Sequence, residues 1–127
     1  MKLLLDTNII IMLIDETERL SRAYLSVLDD PENEFCVSTI SVWEMAIKQR
    51  KGKLDIGDAF GDLEARLWSI GILVLPLNIL HALADSALPR VLKDPFDRMF
   101  VAIAEIEGMQ FLTIDTKLLG HPLAWRP

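Results

Sequence analysis

Four carboxylates are the residues of this chain best suited to chemistry: Asp6, Glu44, Asp97 and Asp115. Each one falls where a strand-like run passes into a helix-like run, or within the first turn of a predicted helix. Carboxylates gathered at one place raise one another's pKa, and their repulsion costs stability unless cations neutralise it. A hard divalent ion prefers oxygen ligands of this kind, so the four acids predict a site for Mg²⁺, with Mn²⁺ as an alternative.

An ion held by several carboxylates suits the attack of water on a phosphodiester. The ion lowers the pKa of its bound water and offsets the charge that grows in the transition state, and a nearby acid can act as general base. Other chemistries lack their residues, since the sequence contains no Ser/His/Asp or Cys/His set and no glycine-rich phosphate loop. His81, His121 and Cys36 do not have the spacing of a zinc site, and neither histidine is predicted to be catalytic.

Each acid also has a purely structural interpretation. Asp6 and Asp115 could each cap the helical turn that follows. Ser41 and Glu44 match a capping box with Ser41 as the N-cap. Asp97 falls in the first turn of a predicted helix, where the helix dipole favours a carboxylate. Capping is the better interpretation of each acid alone, whereas four acids at one edge of a sheet favour a metal site.

Short apolar runs predict the strands that would position these acids. Leu3-Leu4-Leu5 is apolar at successive positions, which is typical of a strand buried on both faces in the middle of a parallel sheet. Similar runs follow at residues 35–38, 72–75 and 111–114, and a last edge strand is predicted at 123–125. Right-handed crossovers bring the strand-to-helix junctions to one edge, where open α/β sheets bind ligands. We therefore expect an α/β three-layer sandwich with a mainly parallel, about five-stranded sheet flanked by helices.

Helical periodicity between these runs predicts the flanking layers. The helix that carries Glu44 is expected to begin at Ser41, and the helix that carries Asp97 is expected to begin after the N-cap Asp94. Asp58 is predicted to cap a helix between the second and third strands. The apolar positions expected to face the core from that helix and the next one are Phe60, Leu63, Leu67, Ile70, Leu80, Leu83, Ala84, Ala87 and Leu88.

Several large or charged side chains near these elements have more than one possible role. Arg98 could pair with Asp94 across the first turn of its helix, or bind a phosphate or the carboxylate of a partner. Trp43, Trp68 and Trp125 lie inside patterned segments, which favours core packing or a dimer contact over base stacking.

Length, composition and charge limit the number of domains, the cellular compartment and the kind of binding surface. A chain of 127 residues with 51% hydrophobic and 25% charged residues is expected to form one domain over residues 1–127. Its single cysteine, Cys36, favours a reducing cytoplasm, and no apolar run is long enough to span a bilayer. The net charge of −6 argues against a generally basic nucleic-acid surface. A local strip could still contact RNA, and it would consist of Lys48, Arg50, Lys51 and Lys53.

The order of the motifs along the chain resembles the PIN-domain ribonucleases, specifically the VapC-type toxins of bacterial toxin–antitoxin pairs. The matching segments are LLLDTN, VSTISVWEMAIKQRKGKL, VLPL followed by HALA, DPFDRMFVAIA, LTID and LAW, and they cover almost the whole chain. The resemblance implies a Mg²⁺-dependent endoribonuclease with a five-stranded parallel sheet, usually a homodimer, that a cognate VapB-type antitoxin inhibits. It also implies that the catalytic and metal-binding residues are Asp6, Glu44, Asp97 and Asp115, with Asp6 and Asp97 as the principal metal ligands.

The leading hypothesis is therefore a toxin that hydrolyses structured cellular RNA by metal-activated water. Two alternatives remain open from the sequence. A metal-dependent phosphatase would want an acid at position 8, where the chain has Asn8. A catalytically silent module would use the same acids only to bind a basic partner or a structural ion.

Overall fold

The computed structural model describes residues 1–57 and 61–127. Within these ranges, no helix has the length and apolar character that crossing a membrane requires. Two short 3₁₀ turns, Thr17–Arg19 and Asp85–Ala87, supplement the regular elements. In chain order those elements are β1 (Lys2–Leu5), α1 (Thr7–Asp15), α2 (Arg22–Asp29), β2 (Glu34–Ser38), α3 (Thr39–Arg50), α4 (Leu63–Ser69), β3 (Ile72–Leu75), α5 (Ile79–Ala84), α6 (Pro95–Glu107) and β4 (Gln110–Leu112).

The strands form one parallel sheet in the order β3-β2-β1-β4. β1 is central, because Leu4 pairs with Cys36 of β2 on one side and with Phe111 of β4 on the other. Side chains alternate along a strand, so Leu3 and Leu5 enter the core on one face of the sheet and Leu4 enters the core on the other. The predicted α/β sandwich with a parallel sheet is confirmed.

The described residues contain four strands, whereas about five were predicted. The predicted C-terminal edge strand forms only an isolated parallel bridge, in which Ala124 lies beside Phe111. The ladder does not extend, because the Ala124 amide donates to the His121 carbonyl (3.0 Å) and folds the preceding residues into a turn. β4 ends at Leu112 instead of residue 114, since the chain leaves the sheet there to form the loop that carries Asp115.

α3 begins earlier than predicted. The hydroxyl of Ser38 accepts a hydrogen bond from the Ile40 amide (3.1 Å), so Ser38 is the N-cap and the helix starts as soon as β2 ends. Ser41 is then a buried residue inside the helix. The capping box predicted for Ser41 and Glu44 is therefore wrong, and the Glu44 side chain is available for other contacts.

α4 contains part of the predicted buried stripe. Leu63 and Leu67 are buried, as expected. Ile70 is exposed instead, because the helix ends at Ser69 and the next residue leaves the buried face. The predicted cap Asp58 and the predicted core residue Phe60 lie outside the described residues.

α5 presents a different face to the core from the one predicted. Leu80 and Leu83 are exposed, and His81 is fully buried in their place. The rotation follows from polar contacts: the Asn78 side chain accepts from the His81 amide (3.0 Å), and His81 Nε2 lies 2.8 Å from Glu107 Oε1. Of the other positions predicted to be buried on this helix and after it, Leu88 is buried, Ala84 is half-buried and Ala87 is exposed.

Candidate metal centre

Asp6 lies directly after the central strand and caps α1. Its Oδ1 accepts from the Thr7 amide (2.7 Å), and its Oδ2 accepts from the Thr113 hydroxyl (2.6 Å). The Asp6 amide donates to the Leu112 carbonyl (3.0 Å), and the Tyr24 hydroxyl donates to the Thr113 carbonyl (2.8 Å). The ends of the paired strands β1 and β4 therefore fix the Asp6 carboxylate. Capping uses one lone pair of Oδ1, so it is compatible with a second role for this carboxylate.

Glu44 reaches the same edge of the sheet from α3. Its Oε1 accepts from the Thr7 hydroxyl (2.6 Å), and its Oε2 lies 3.5 Å from the ammonium group of Lys48. Thr7 thus links two of the acids, because its amide binds Asp6 and its hydroxyl binds Glu44. Sequence reasoning missed Thr7, although a hydroxyl residue placed directly after a strand-terminal Asp is a usable signal.

Asp97 lies in the first turn of α6, and its side chain is not needed for the helix cap. The cap is Asp94, as predicted, whose Oδ1 accepts from the amides of Phe96 (2.8 Å) and Asp97 (3.2 Å). The Asp97 carboxylate instead lies 3.5 Å from the ammonium group of Lys117 through its Oδ2.

Asp115 follows β4 in the loop that turns away from the sheet. Its Oδ1 accepts from the Lys117 amide (2.9 Å), which confirms its predicted capping of this turn. Its Oδ2 lies 3.7 Å from the Lys117 ammonium group, so one lysine contacts both Asp115 and Asp97. The Asp115 amide donates to the Thr113 hydroxyl (3.0 Å), the same hydroxyl that binds Asp6.

The charges of the four acids are coupled. The pKa of Asp6 is raised to about 6, mainly by burial; the nearby carboxylates of Glu44 and Asp97 contribute to the rise, and the hydrogen bonds from Thr113 and Thr7 oppose it. Burial also raises the pKa of Asp97, with added repulsion from Asp94 and Asp115 and an opposing effect of Lys117. The structure therefore brings the four predicted acids, from separate parts of the chain, to one edge of the sheet.

The donor set suits a hard divalent cation, although the side chains are not closed around one point. Among the described residues, no three acidic, histidine or cysteine side chains lie close enough to hold one ion together. The donors are nevertheless all carboxylate oxygens, which Mg²⁺ and Mn²⁺ prefer. Burial is the largest cause of the raised pKa values of Asp6 and Asp97, and repulsion from neighbouring carboxylates contributes to both. A bound cation would relieve that repulsion.

Arg98, next to Asp97, has a structural role. Its guanidinium donates to the Asp85 carboxylate (2.7 Å), and it also donates to the backbone carbonyls of Asp85, Pro89 and Leu92. The predicted pair with Asp94 is therefore replaced by a pair with Asp85. These contacts fasten the segment before α6 to the helix, and they leave little of the guanidinium for a phosphate.

Two of the three tryptophans are exposed, which rules out core packing for them and leaves the other predicted role, a dimer contact, as a prediction. Trp43 and Trp68 are exposed, whereas Trp125 is half-buried with its ring 5.3 Å from that of Tyr24. Trp43 packs against Phe96 with ring centroids 5.6 Å apart, so an aromatic pair joins α3 and α6 beside the acids that these helices carry.

The parallel sheet and the carboxylates at its edge define an α/β protein with a negatively charged candidate site. The model of the PIN domain family matches residues 3–120, and the chain belongs to this family. The recognition of a PIN domain from the sequence motifs is confirmed. PIN domains are generally nucleases that act on nucleic acids.

Two solved structures share this fold. A chain of a toxin–antitoxin complex from Klebsiella pneumoniae is 22% identical with a TM-score of 0.64, and the match covers 98% of this chain and 97% of that one. A chain of VapBC2 from Rickettsia felis, bound to a DNA fragment from its promoter, is 16% identical with a TM-score of 0.70, and the match covers 98% and 96% of the two chains. No curated protein matches this sequence.

Proposed function

We propose that this PIN domain is a Mg²⁺-dependent endoribonuclease, the toxin of a toxin–antitoxin pair, which cleaves structured cellular RNA. The observation that carries the proposal is geometric: Thr7 links the carboxylates of Asp6 and Glu44, and Lys117 contacts those of Asp97 and Asp115. Membership in a family whose members are generally nucleases supports the reaction class.

The hydroxyl groups around the acids support a prearranged site. Thr113 donates to Asp6 and Thr7 donates to Glu44, so both carboxylates are held in fixed orientations before any substrate binds. A divalent cation, when bound, would act as a Lewis acid that activates water and offsets charge on the phosphate. The proposed ligands and catalytic residues are Asp6 and Asp97, with Glu44 and Asp115 completing the set.

Cleavage of RNA by the purified protein tests this proposal. We expect cleavage of structured RNA with Mg²⁺, none with EDTA, and a loss of at least about a hundredfold in Asp97→Asn, because that change removes a ligand charge. Asp29→Asn, which neutralises an exposed acid at the end of α2, is the matched control and should cleave at the wild-type rate. Cleavage that persists in Asp97→Asn contradicts the assigned site, and the absence of cleavage in every RNA favours the silent interaction module.

The partner is proposed to be an antitoxin of the VapB type. Both similar structures come from toxin–antitoxin assemblies, which supports this assignment. We expect that expression of this chain arrests growth and that a short reading frame beside its gene encodes a protein whose co-expression relieves the arrest. Arrest that continues despite the neighbouring product would remove the partner from the proposal.

The proposal also includes a homodimer that acts in the cytoplasm. α5 exposes Ile79, Leu80 and Leu83, an apolar surface of the kind that subunit contacts cover. Cys36 is a free, buried thiol, which is common in reducing compartments. Light scattering should give twice the mass of one chain, and a monomeric mass at micromolar concentration would contradict the dimer.

A further inference from the structure

Lys117 places an ammonium group between two of the four carboxylates. Its Nζ lies 3.5 Å from Asp97 Oδ2 and 3.7 Å from Asp115 Oδ2. Its backbone amide is held by Asp115 Oδ1, whereas its side chain is 67% exposed. The ammonium group can therefore leave the carboxylates by rotation of the side chain, without any change in the backbone.

The lysines compensate only part of the charge at this edge. Lys48 contacts Glu44, and Lys117 contacts Asp97 and Asp115, whereas the hydrogen bonds to Asp6 in the described part of the chain come from neutral donors. Four carboxylates and two ammonium groups leave two negative charges, which is the charge that one divalent cation neutralises. A cation bound by Asp97 or Asp115 would occupy the oxygens that Lys117 now contacts.

We propose that Lys117 is the resident counter-ion of Asp97 and Asp115, and that a divalent cation must displace its ammonium group in order to bind. Lys117 thereby raises the cation concentration at which the site fills. Lys117 and Asp97 line a cleft of about 570 Å³ together with Val91, Leu92, Lys93 and Asp94, so the displaced side chain has space to move within it. The inference rests on the proposed function only in requiring a cation site at these acids.

The displacement is physically reasonable because the lysine contacts are long and exposed. Exposed ion pairs of this kind contribute little to stability, so a directly coordinated divalent ion can replace them. Removing the competing charge should nevertheless make binding measurably tighter. Two such pairs together correspond to a change of about three- to tenfold in the dissociation constant.

Titration of Mn²⁺ into EDTA-stripped protein by calorimetry, at pH 8 and without RNA, tests the inference. Lys117→Met keeps the apolar stem and removes the charge, and it should lower the Mn²⁺ dissociation constant by about three- to tenfold. Lys117→Arg retains the charge and should bind Mn²⁺ with nearly the wild-type affinity. Lys93→Met removes an equal charge from the same cleft, so it controls for general electrostatic effects and should change affinity much less.

The outcomes separate this inference from the nuclease proposal. Unchanged Mn²⁺ affinity in Lys117→Met, or equal tightening in Lys93→Met, overturns the role of Lys117 and leaves the nuclease proposal standing. The absence of Mn²⁺ binding in all variants also overturns it. Tighter binding in Lys117→Met supports the inference even if the protein cleaves no RNA, a result that would count against the nuclease alone.

Discussion

At the scale of a single residue, the ionised carboxylate of Asp6 lowers the stability of the fold. Its pKa is raised from 3.8 to about 6, mainly by burial and in part by the charges of Glu44 and Asp97. Because the folded state binds the proton more tightly than the unfolded state, protonated Asp6 stabilises the fold below about pH 4. That contribution, of order 3 kcal/mol, is lost as the pH rises through 6. At neutral pH, the ionised carboxylate therefore costs stability.

We predict that Asp6→Asn is more stable than the wild type at pH 7.5 in EDTA, by about 1–3 kcal/mol in the free energy of unfolding. Asparagine is also a good N-cap, and its amide can donate to the Thr113 hydroxyl. Urea unfolding at pH 7.5 and pH 4 measures the effect, and the advantage of the variant should largely disappear at pH 4.

Two controls sharpen the measurement. Asp29→Asn should show no such pH-dependent gain, because its carboxylate is exposed. Mg²⁺ should stabilise the wild type more than Asp6→Asn, since only the wild type retains the proposed ligand. An Asp6→Asn protein that is less stable than the wild type at pH 7.5 would show that the hydrogen bonds of the Asp6 carboxylate outweigh the cost of burying its charge.

The sequence located the four acids but not the groups that orient them. The acids stand at recognisable junctions between apolar runs, and parallel topology brings those junctions together. Thr7, Thr113 and Lys117 were missed because their contacts depend on which strands are neighbours and on the path of the loop after β4. The position of Thr7 directly after a strand-terminal Asp is a usable signal, whereas Thr113 and Lys117 have no distinctive pattern until their partners in the fold are known.

At the scale of elements, Arg98 connects α6 to the segment that follows α5. Its side chain is only 16% exposed, and it donates to Asp85 and to the carbonyls of Asp85, Pro89 and Leu92. Loss of the guanidinium would leave partly buried acceptors without their donor, which is costly. This segment also carries Lys93 and borders Asp97, so its position matters for the candidate site.

We predict that Arg98→Ala lowers the free energy of unfolding by about 2–4 kcal/mol. Arg98→Lys should recover little of it, because one ammonium group cannot serve several acceptors that the planar guanidinium reaches. Chemical denaturation measures both variants. Arg90→Ala, an exposed arginine in the same segment, is the control and should be nearly neutral. An Arg98→Ala protein of unchanged stability but weakened RNA binding would restore the phosphate-binding role.

Element boundaries and faces show where sequence patterns are insufficient. The central strand β1 was predicted correctly because an unbroken apolar run is buried on both faces of the sheet. The predicted start of α3 is too late because Ser38 and Ser41 are both acceptable N-cap residues. Only the position at which β2 ends decides between them. The buried face of α5 was predicted wrongly because apolar periodicity favoured Leu80 and Leu83. Buried contacts of His81 with Asn78 and Glu107 determine that face instead.

At the scale of the whole molecule, the proposed cleavage of RNA by an acidic protein requires a local binding surface for the substrate. The net charge is −6, so the overall field repels a polyanion. The C-terminal end of α3 is the exception, since Lys48 and Arg50 occupy its last turn and Lys51 and Lys53 follow. Lys48 is paired with Glu44, whereas Arg50, Lys51 and Lys53 are exposed. Helix α3 thus carries an acid of the candidate site and leads into an exposed basic strip.

We predict that changing Arg50, Lys51 and Lys53 together to Gln weakens RNA binding and makes it less dependent on salt. Filter binding in the Asp97→Asn background, which prevents cleavage, should show a slope of log K against log salt reduced by about two, as expected when three phosphate contacts to a single strand are lost. The control changes Lys2, Arg22 and Arg126 to Gln and alters the net charge from −6 to −9 in the same way. If both triple variants weaken RNA binding equally, the electrostatic field of the whole molecule controls association. If neither variant weakens binding, the basic strip only stabilises α3 by interacting with the negative end of its helix dipole.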